Sequence, residues 1–261
     1  MSPKLDQPIT AEEPESTISF GNFALIMLVA FLSALITVSF LPDWLPGLTD
    51  SLIGSNISAY WYLSRGSAVI AYFLLWLSMI LGTGITNKLG ALWPGLPSTI
   101  EMHEYTSILG LAFGIFHGLI LLGDHYISFS LVQVLVPFAT TSYKPIAVGI
   151  GQVALYIWAL LDISFYIRKT IGKKMWRAIH FGSFLTYASV LFHAIISGTD
   201  ASTTWLQLIY WITGGILAFI QNPRYTLPVS SDGHDIWHQP AFAARAGTKT
   251  ASWPAACRGA A

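Results

Sequence analysis

The chain has 261 residues, 54% hydrophobic and 10% charged, with 13 basic and 13 acidic side chains in balance. Soluble domains average about 25% charged residues, so this deficit, with a mean hydropathy of +0.59, points to a polytopic membrane protein and shows no nucleic-acid footprint. One cysteine, Cys257, excludes an intrachain disulfide, a thiolate zinc site or an iron–sulfur cluster held by this chain alone, and the lack of a C-x-x-C-H run excludes c-type haem.

Residues 1–20, MSPKLDQPITAEEPESTISF, are polar and acidic. They lack the basic start and cleavage site of a signal peptide, so the first apolar run is expected to stay as a span behind a cytoplasmic N-terminal segment. Six apolar segments follow, near 21–41, 66–86, 102–122, 146–167, 178–197 and 203–221. Each approaches the roughly 20 residues that a helix needs to cross hydrocarbon, where helices satisfy their own backbone polar groups. The predicted fold is all-α, a six-helix membrane bundle over 21–221. Between the third and fourth spans lies HYISFSLVQVLVPFATTSYKP, whose apolar middle is interrupted by Pro137. It reads either as a segment lying at the interface or as a loop packed on the helix ends. Residues 222–261 are rich in Ala, Gly, Pro and Ser, which predicts a disordered cytoplasmic tail. His234 and His238, four apart in that tail, would share a metal only on a helix.

Orientation follows from Lys and Arg in short loops. The loop after the fourth span, IRKTIGKKMWR, carries Arg168, Lys169, Lys173, Lys174 and Arg177 and is placed in the cytoplasm. Alternation puts the Lys88 loop and both termini inside as well. The loops near 42–65, 123–145 and 198–202 fall outside, with Arg65 and Lys144 as their only basic residues. The expected location is the plasma (inner) membrane, multi-pass.

Two of the spans carry histidines that lipid would not tolerate unpaired. The third, EMHEYTSILGLAFGIFHGLILLG, holds His103 and His117, fourteen apart; the fifth, within WRAIHFGSFLTYASVLFHAIISGTD, holds His180 and His193, thirteen apart. At 1.5 Å per residue these separations are about 21 and 20 Å. Both spans run from inside to outside, so His103 and His180 share a depth near the cytoplasmic side, and His117 and His193 share one near the outer side. A haem iron takes two axial ligands, and two facing imidazoles supply them. Two b-haems between the third and fifth helices, bound by His103 with His180 and His117 with His193, would form an electron route across the bilayer. One point of geometry resists. On an ideal helix His117 returns to within about 40° of His103's face, but His193 lies about 140° from that of His180. The fifth span must bend, contain a π-bulge, or meet its two haems at different azimuths. Gly182 and Ser183 mark a place for such an irregularity.

Other residues gather round this constellation. Gly110, Gly114 and Gly118 recur every four residues on the third span, through close helix packing or to admit a macrocycle. Arg177, three before His180, is a candidate partner for an inner haem propionate, although positive-inside topology accounts for it equally. Arg65, in YWYLSRGSAVIAYF, is a candidate for an outer propionate or an anionic species; the alternative is snorkelling to the interface. Asp162 in the fourth span is read as structural, with Arg168 and Lys169 close enough to pair with it. Glu101 and Glu104 flank His103; Glu104 either orients a ligand, accepts a proton, or simply suits the helix dipole. His125, in LLGDHYI, reads as a solvated loop residue rather than a ligand for a substrate metal.

With these residues, the chain resembles the ferric-reductase-like transmembrane domain family. That family includes the membrane domains of NADPH oxidases and ferric reductases, and the haem subunit of the bacterial periplasmic methionine-sulfoxide reductase. The resemblance covers about residues 20–221. It is carried by His103, His117, His180, His193, the Arg65 region and LVPFATTSYKPIAVGIGQVALYIW, which looks like stand-alone bacterial members. It implies six helices, two b-haems, the same ligand pairs, and electron transfer to an acceptor outside. The departure is downstream. NADPH oxidases continue into flavin and nicotinamide domains, whereas the forty residues here contain no strand–glycine-loop–helix unit.

The expected activity is therefore oxidoreductase-like electron relay, as an electron-transport cytochrome b without its own flavin or nicotinamide domain. The donor would be a separate flavoprotein or membrane quinol, with flavin supplied through that partner. The acceptor would be a ferric chelate, oxygen or an outer-side protein. The rivals are a quinol-linked cytochrome subunit of a larger complex, and a haem-free transporter or proton or metal channel that uses the four histidines as relays.

Overall fold

The computed structural model describes residues 16–44, 59–87, 95–124 and 127–221. Lys88, His125, His234, His238 and the whole 222–261 tail lie outside the described residues. Every regular element among them is helical: α1 (Phe20–Trp44), α2 (Ala59–Thr86), α3 (Leu96–Ile120) with a 3-10 turn at Leu121–Gly123, α4 (Leu131–Leu135), α5 (Pro145–Tyr166), α6 (Arg168–Ile171), α7 (Lys173–His180), α8 (Gly182–Ser197) and α9 (Thr204–Ile220).

The long apolar runs dictate these helices, and local chemistry sets their ends. Proline stands in the first turn of α3 and of α5, where its missing N–H costs nothing and its fixed φ suits the helix. Gly172, at φ +80°, separates α6 from α7. Five helical stretches are long and apolar enough to cross a membrane: Phe20–Phe40, Ala59–Thr86, Leu96–Gly123, Pro145–Tyr166 and Lys173–Ser197. They match the first five predicted spans. The sixth, α9, has 17 residues, which at 1.5 Å each is about 26 Å, short of a hydrocarbon core of about 30 Å.

α2 packs antiparallel along α3, α1 covers another side of α3, and α5 packs antiparallel along α8. Leu75 and Met79 of α2, Ile108 and Leu111 of α3, Trp158 of α5 and Leu217 of α9 form the buried core. One polar chain runs through it. The Thr213 hydroxyl donates to the Ile209 carbonyl at 2.7 Å, so it accepts from the Tyr72 hydroxyl at 2.5 Å. The Tyr72 oxygen in turn accepts a hydrogen bond from the Tyr187 hydroxyl at 3.1 Å. Each of these three hydroxyls thus has a partner. Outward, Leu25, Leu28 and Ile36 of α1, Leu160 of α5, Leu185 of α8 and Trp211 of α9 are exposed. Apolar faces on so many helices at once suit a bilayer, not water.

Two sequence-level alternatives resolve here. The fifth span is interrupted: α7 stops at His180, α8 starts at Gly182, and the Phe184 N–H reaches back only three residues to the Phe181 carbonyl at 3.3 Å. Glycine is about 1 kcal/mol poorer than alanine within a helix, and the break falls beside one. The stretch after α3 is docked on α5. The Gln152 side-chain amide donates to the Gln133 and Val134 carbonyls, both at 2.7 Å, and the Tyr156 hydroxyl donates to the Leu135 carbonyl. The Phe138 ring fills the space left by the missing side chain of Gly149. Leu131, Val132 and Val136 meanwhile stay exposed, so the segment is packed on a helix while its apolar edge faces outward.

Candidate functional site

The antiparallel register of α2 on α3 places the third-span histidines. Ser64 meets His117 and Ser78 meets His103. The serines are fourteen apart, as are the histidines. Each contact has the same form. The His103 Nδ1 lies 2.9 Å from the Ser78 carbonyl and 3.0 Å from its hydroxyl. The His117 Nδ1 lies 2.8 Å from the Ser64 carbonyl and 2.9 Å from its hydroxyl. A carbonyl only accepts, so Nδ1 carries the proton in both rings and Nε2 keeps its lone pair. The Ser64 hydroxyl donates back to the His117 main-chain carbonyl at 3.2 Å.

α5 treats His193 the same way. Its Nδ1–H donates to the Ala147 carbonyl at 2.8 Å. One turn on, a Cβ at Gly151 would lie 2.5 Å from that ring, closer than side chains approach, so only glycine admits the imidazole there. Gly82 plays a looser version of the part for His103, with a would-be Cβ contact of 3.1 Å. The end of α8, four residues beyond His193, is pinned: the Tyr143 hydroxyl donates to the Ser197 carbonyl at 2.7 Å and Lys144 Nζ to the Ile196 carbonyl at 2.6 Å. Burial pushes the Tyr143 phenol above its ordinary pKa, opposed in part by the positive charge of Arg65. His180 differs. Its Nδ1 is buried without a hydrogen-bond partner, and its ring stacks on Trp176 at 5.0 Å.

The four rings come together in the two predicted pairs. The centroids of His103 and His180 are 6.0 Å apart with planes crossed at 79°; those of His117 and His193 are 6.2 Å apart at 71°. No hydrogen bond joins the rings within either pair. A metal–imidazole bond of about 2.0 Å, plus about 1.1 Å from nitrogen to ring centre, puts two centroids about 6.2 Å apart across one metal ion. The ring separations therefore leave room for one metal ion that both imidazoles of a pair would hold. Among the described residues no three His, Cys, Asp or Glu side chains converge. Each pair offers two protein ligands, the number a haem needs and fewer than a tetrahedral zinc site needs.

Around the outer pair lies a cavity of about 1130 Å³, bordered by His117 and His193 and walled mostly by apolar side chains. It is larger than the 300–1,000 Å³ usual for small-molecule sites. Arg65 and Asp200 border it and form an ion pair. A Cβ at Gly118, on the cavity wall, would make only an ordinary van der Waals contact, with Val134 at 3.9 Å. Gly110 and Gly114 serve helix packing: a Cβ would strike Trp158 at 2.8 Å from the first and Leu155 at 2.9 Å from the second. The three-glycine pattern thus divides between the two readings.

Two of the three acidic candidates, Glu104 and Asp162, have structural partners. Buried Glu104 accepts the Thr17 and Ile18 N–H groups at 2.8 and 3.0 Å and so anchors the approach to α1. Asp162 accepts from the Ser107 hydroxyl at 2.7 Å, on α3 rather than on its own helix end. Glu101 and Arg177 are exposed, Arg177 one turn before His180 on α7. Ser64, Ser78, Gly82 and Gly151 were not singled out from the sequence. The signal for the first two was present: 64 + 117 and 78 + 103 give the same sum, the mark of an antiparallel helix pair in register.

No protein family, curated protein or solved structure matches this chain.

Proposed function

We propose that this chain is a six-span membrane cytochrome b that holds two haems on His103–His180 and His117–His193 and relays electrons across the bilayer. The observation that carries the reading is the pair of ring separations, 6.0 and 6.2 Å, reached by four histidines from two spans at two depths. The haem, when bound, supplies one-electron redox chemistry. The chain's own residues do the rest. Ser64, Ser78 and Ala147 fix the tautomer and orientation of three ligands through their carbonyls, which raises the donor strength of each imidazole. Gly151 and Gly82 make room for two of the rings. The apolar helices exclude water from the space between the pairs.

In this reading α9 is the sixth span, tethered to α2 by the Tyr72–Thr213 bond, and both termini face the cytoplasm. The five cations of 168–177 offer a docking surface for an acidic flavoprotein donor, with membrane quinol as the other source of electrons. The acceptor, a ferric chelate or an outer-side protein, would approach the Arg65 end. The resemblance to ferric-reductase-like membrane domains agrees with this and belongs to the proposal. The test is a reduced-minus-oxidised visible spectrum of purified protein with haem quantified per chain. Two b-haems per chain, lost in part when His117 or His193 is replaced, are expected. A folded, colourless protein from haem-replete cells would overturn the reading in favour of a haem-free transporter.

A further inference from the structure

We infer that His180 is an exchangeable ligand, and that the inner pair is a binding site for small neutral diatomic molecules. The inference rests on the haem reading above. Three of the four imidazoles are held by an Nδ1–H bond to a backbone carbonyl at 2.8–2.9 Å. The His180 Nδ1 has none. His103 and His193 are also wedged against Gly82 and Gly151. His180 rests on the face of Trp176, one turn earlier on its own helix, and the Trp176 indole N–H is likewise buried without a partner. His193 sits within α8, whose end is tied down by Tyr143 and Lys144. His180 is the last residue of α7, directly before the interruption at Phe181.

These differences act in one direction. A metal-bound imidazole with an acceptor at Nδ1 is a stronger and better oriented donor, and the loss of that outer partner typically costs ten- to hundredfold in metal affinity. His180 lacks the acceptor, the wedge and the pinned helix end together. Its ring can turn away from the metal without breaking a hydrogen bond. The position it vacates is bordered by Trp176 and His103 within a membrane helix bundle, where a charged ligand would meet a large desolvation cost. A neutral diatomic π-acceptor such as carbon monoxide suits it. With a haem held there, the exchange would transfer no electrons: the neutral His180 imidazole would give up its place to the neutral diatomic ligand and turn aside, while His103 would keep its own bond to the metal.

The experiment uses detergent-purified full-length holoprotein, reduced and titrated with carbon monoxide, with total haem quantified beside the optical change. Carbon monoxide is expected to bind half of the haem. In Trp176→Ala, which removes the stack, its association should quicken several-fold. In the double variant His117→Ala with His193→Ala, which removes both outer ligands, binding per remaining haem should rise towards one. Two haems per chain that both stay six-coordinate under saturating carbon monoxide would overturn this inference and leave the haem reading standing. Binding that disappears in the His117→Ala with His193→Ala double variant while the inner haem is retained would also overturn it, by placing the open position at the outer pair. Protein without haem would overturn both.

Discussion

The outer and inner histidine pairs share one spacing and differ in how they are held. At the outer pair both rings donate to carbonyls, one is wedged against a glycine, the ligand helix is pinned at its end, and a cavity of about 1130 Å³ borders both imidazoles. At the inner pair one ring is held as firmly as any, and the other leans on an indole at a helix break. Similar centroid distances therefore do not mean similar sites. What separates them is the second layer of contacts, which would set ligand strength and exchange if the pairs hold haem as proposed.

The sharpest way to test that difference is to make one substitution at both sites. In Gly151→Ala the new methyl group would stand 2.5 Å from the His193 ring. The ring must move, and its bond to the Ala147 carbonyl goes with it. Haem content is expected to fall from about two per chain towards one, with overpacking of about 1–3 kcal/mol felt in the melting temperature. Gly82→Ala brings a methyl group to 3.1 Å of His103, which a shift of a few tenths of an ångström relieves. It should keep both haems. The reverse result, inner haem lost and outer haem kept, would break the contrast between a firmly seated and a loosely seated pair.

A smaller effect is expected from the serines. Ser64→Ala and Ser78→Ala remove the hydroxyl and leave the carbonyl that fixes the tautomer. Each should cost about 0.5–1.5 kcal/mol, the usual net worth of a hydrogen bond, without altering haem stoichiometry. Thermal melts with haem counted before and after would show it. Loss of haem from either variant would mean that the hydroxyl, rather than the carbonyl, orients the ligand.

The sequence revealed the layer that hydrophobic periodicity and composition control, and little beyond it. The five long spans and the four histidines were legible because a run of about 20 apolar residues has few other uses and imidazoles within one stand out. The pairing followed from span direction and depth. The seating of the rings was not legible, because a serine or glycine inside a membrane helix is commonplace until the facing residue is known. Gly151 looks like any packing glycine, whereas Gly110 resembles a cavity glycine and in fact faces Trp158. Asp162 shows the same limit. Proximity in sequence suggested Arg168 and Lys169 as partners, while helix packing supplied Ser107 from α3. The break at Phe181 was foreshadowed by the thirteen-residue spacing, and its form depended on tertiary packing.

The smallest effects concern the mouth of the outer cavity. The Arg65 and Asp200 side chains are 30% and 40% exposed. Ion pairs at that exposure contribute about 0–1 kcal/mol and are screened by salt, so Asp200→Asn should barely change stability. Its electrostatic consequence is more telling. Removing the carboxylate leaves the Arg65 charge uncompensated at the cavity, which favours the more reduced state of a redox group bound there. Arg65→Gln leaves Asp200 uncompensated and favours the oxidised state. On the haem reading, a potentiometric titration should therefore shift the outer haem upward in the first variant and downward in the second, each by the equivalent of about 1 kcal/mol or less, with a smaller shift at the more distant inner haem because the interaction falls with separation. Equal shifts in both haems would mean that the pair acts on the whole bundle. The larger shift would identify the outer haem, and would link the spectroscopic inequality of the two sites to their depth in the membrane.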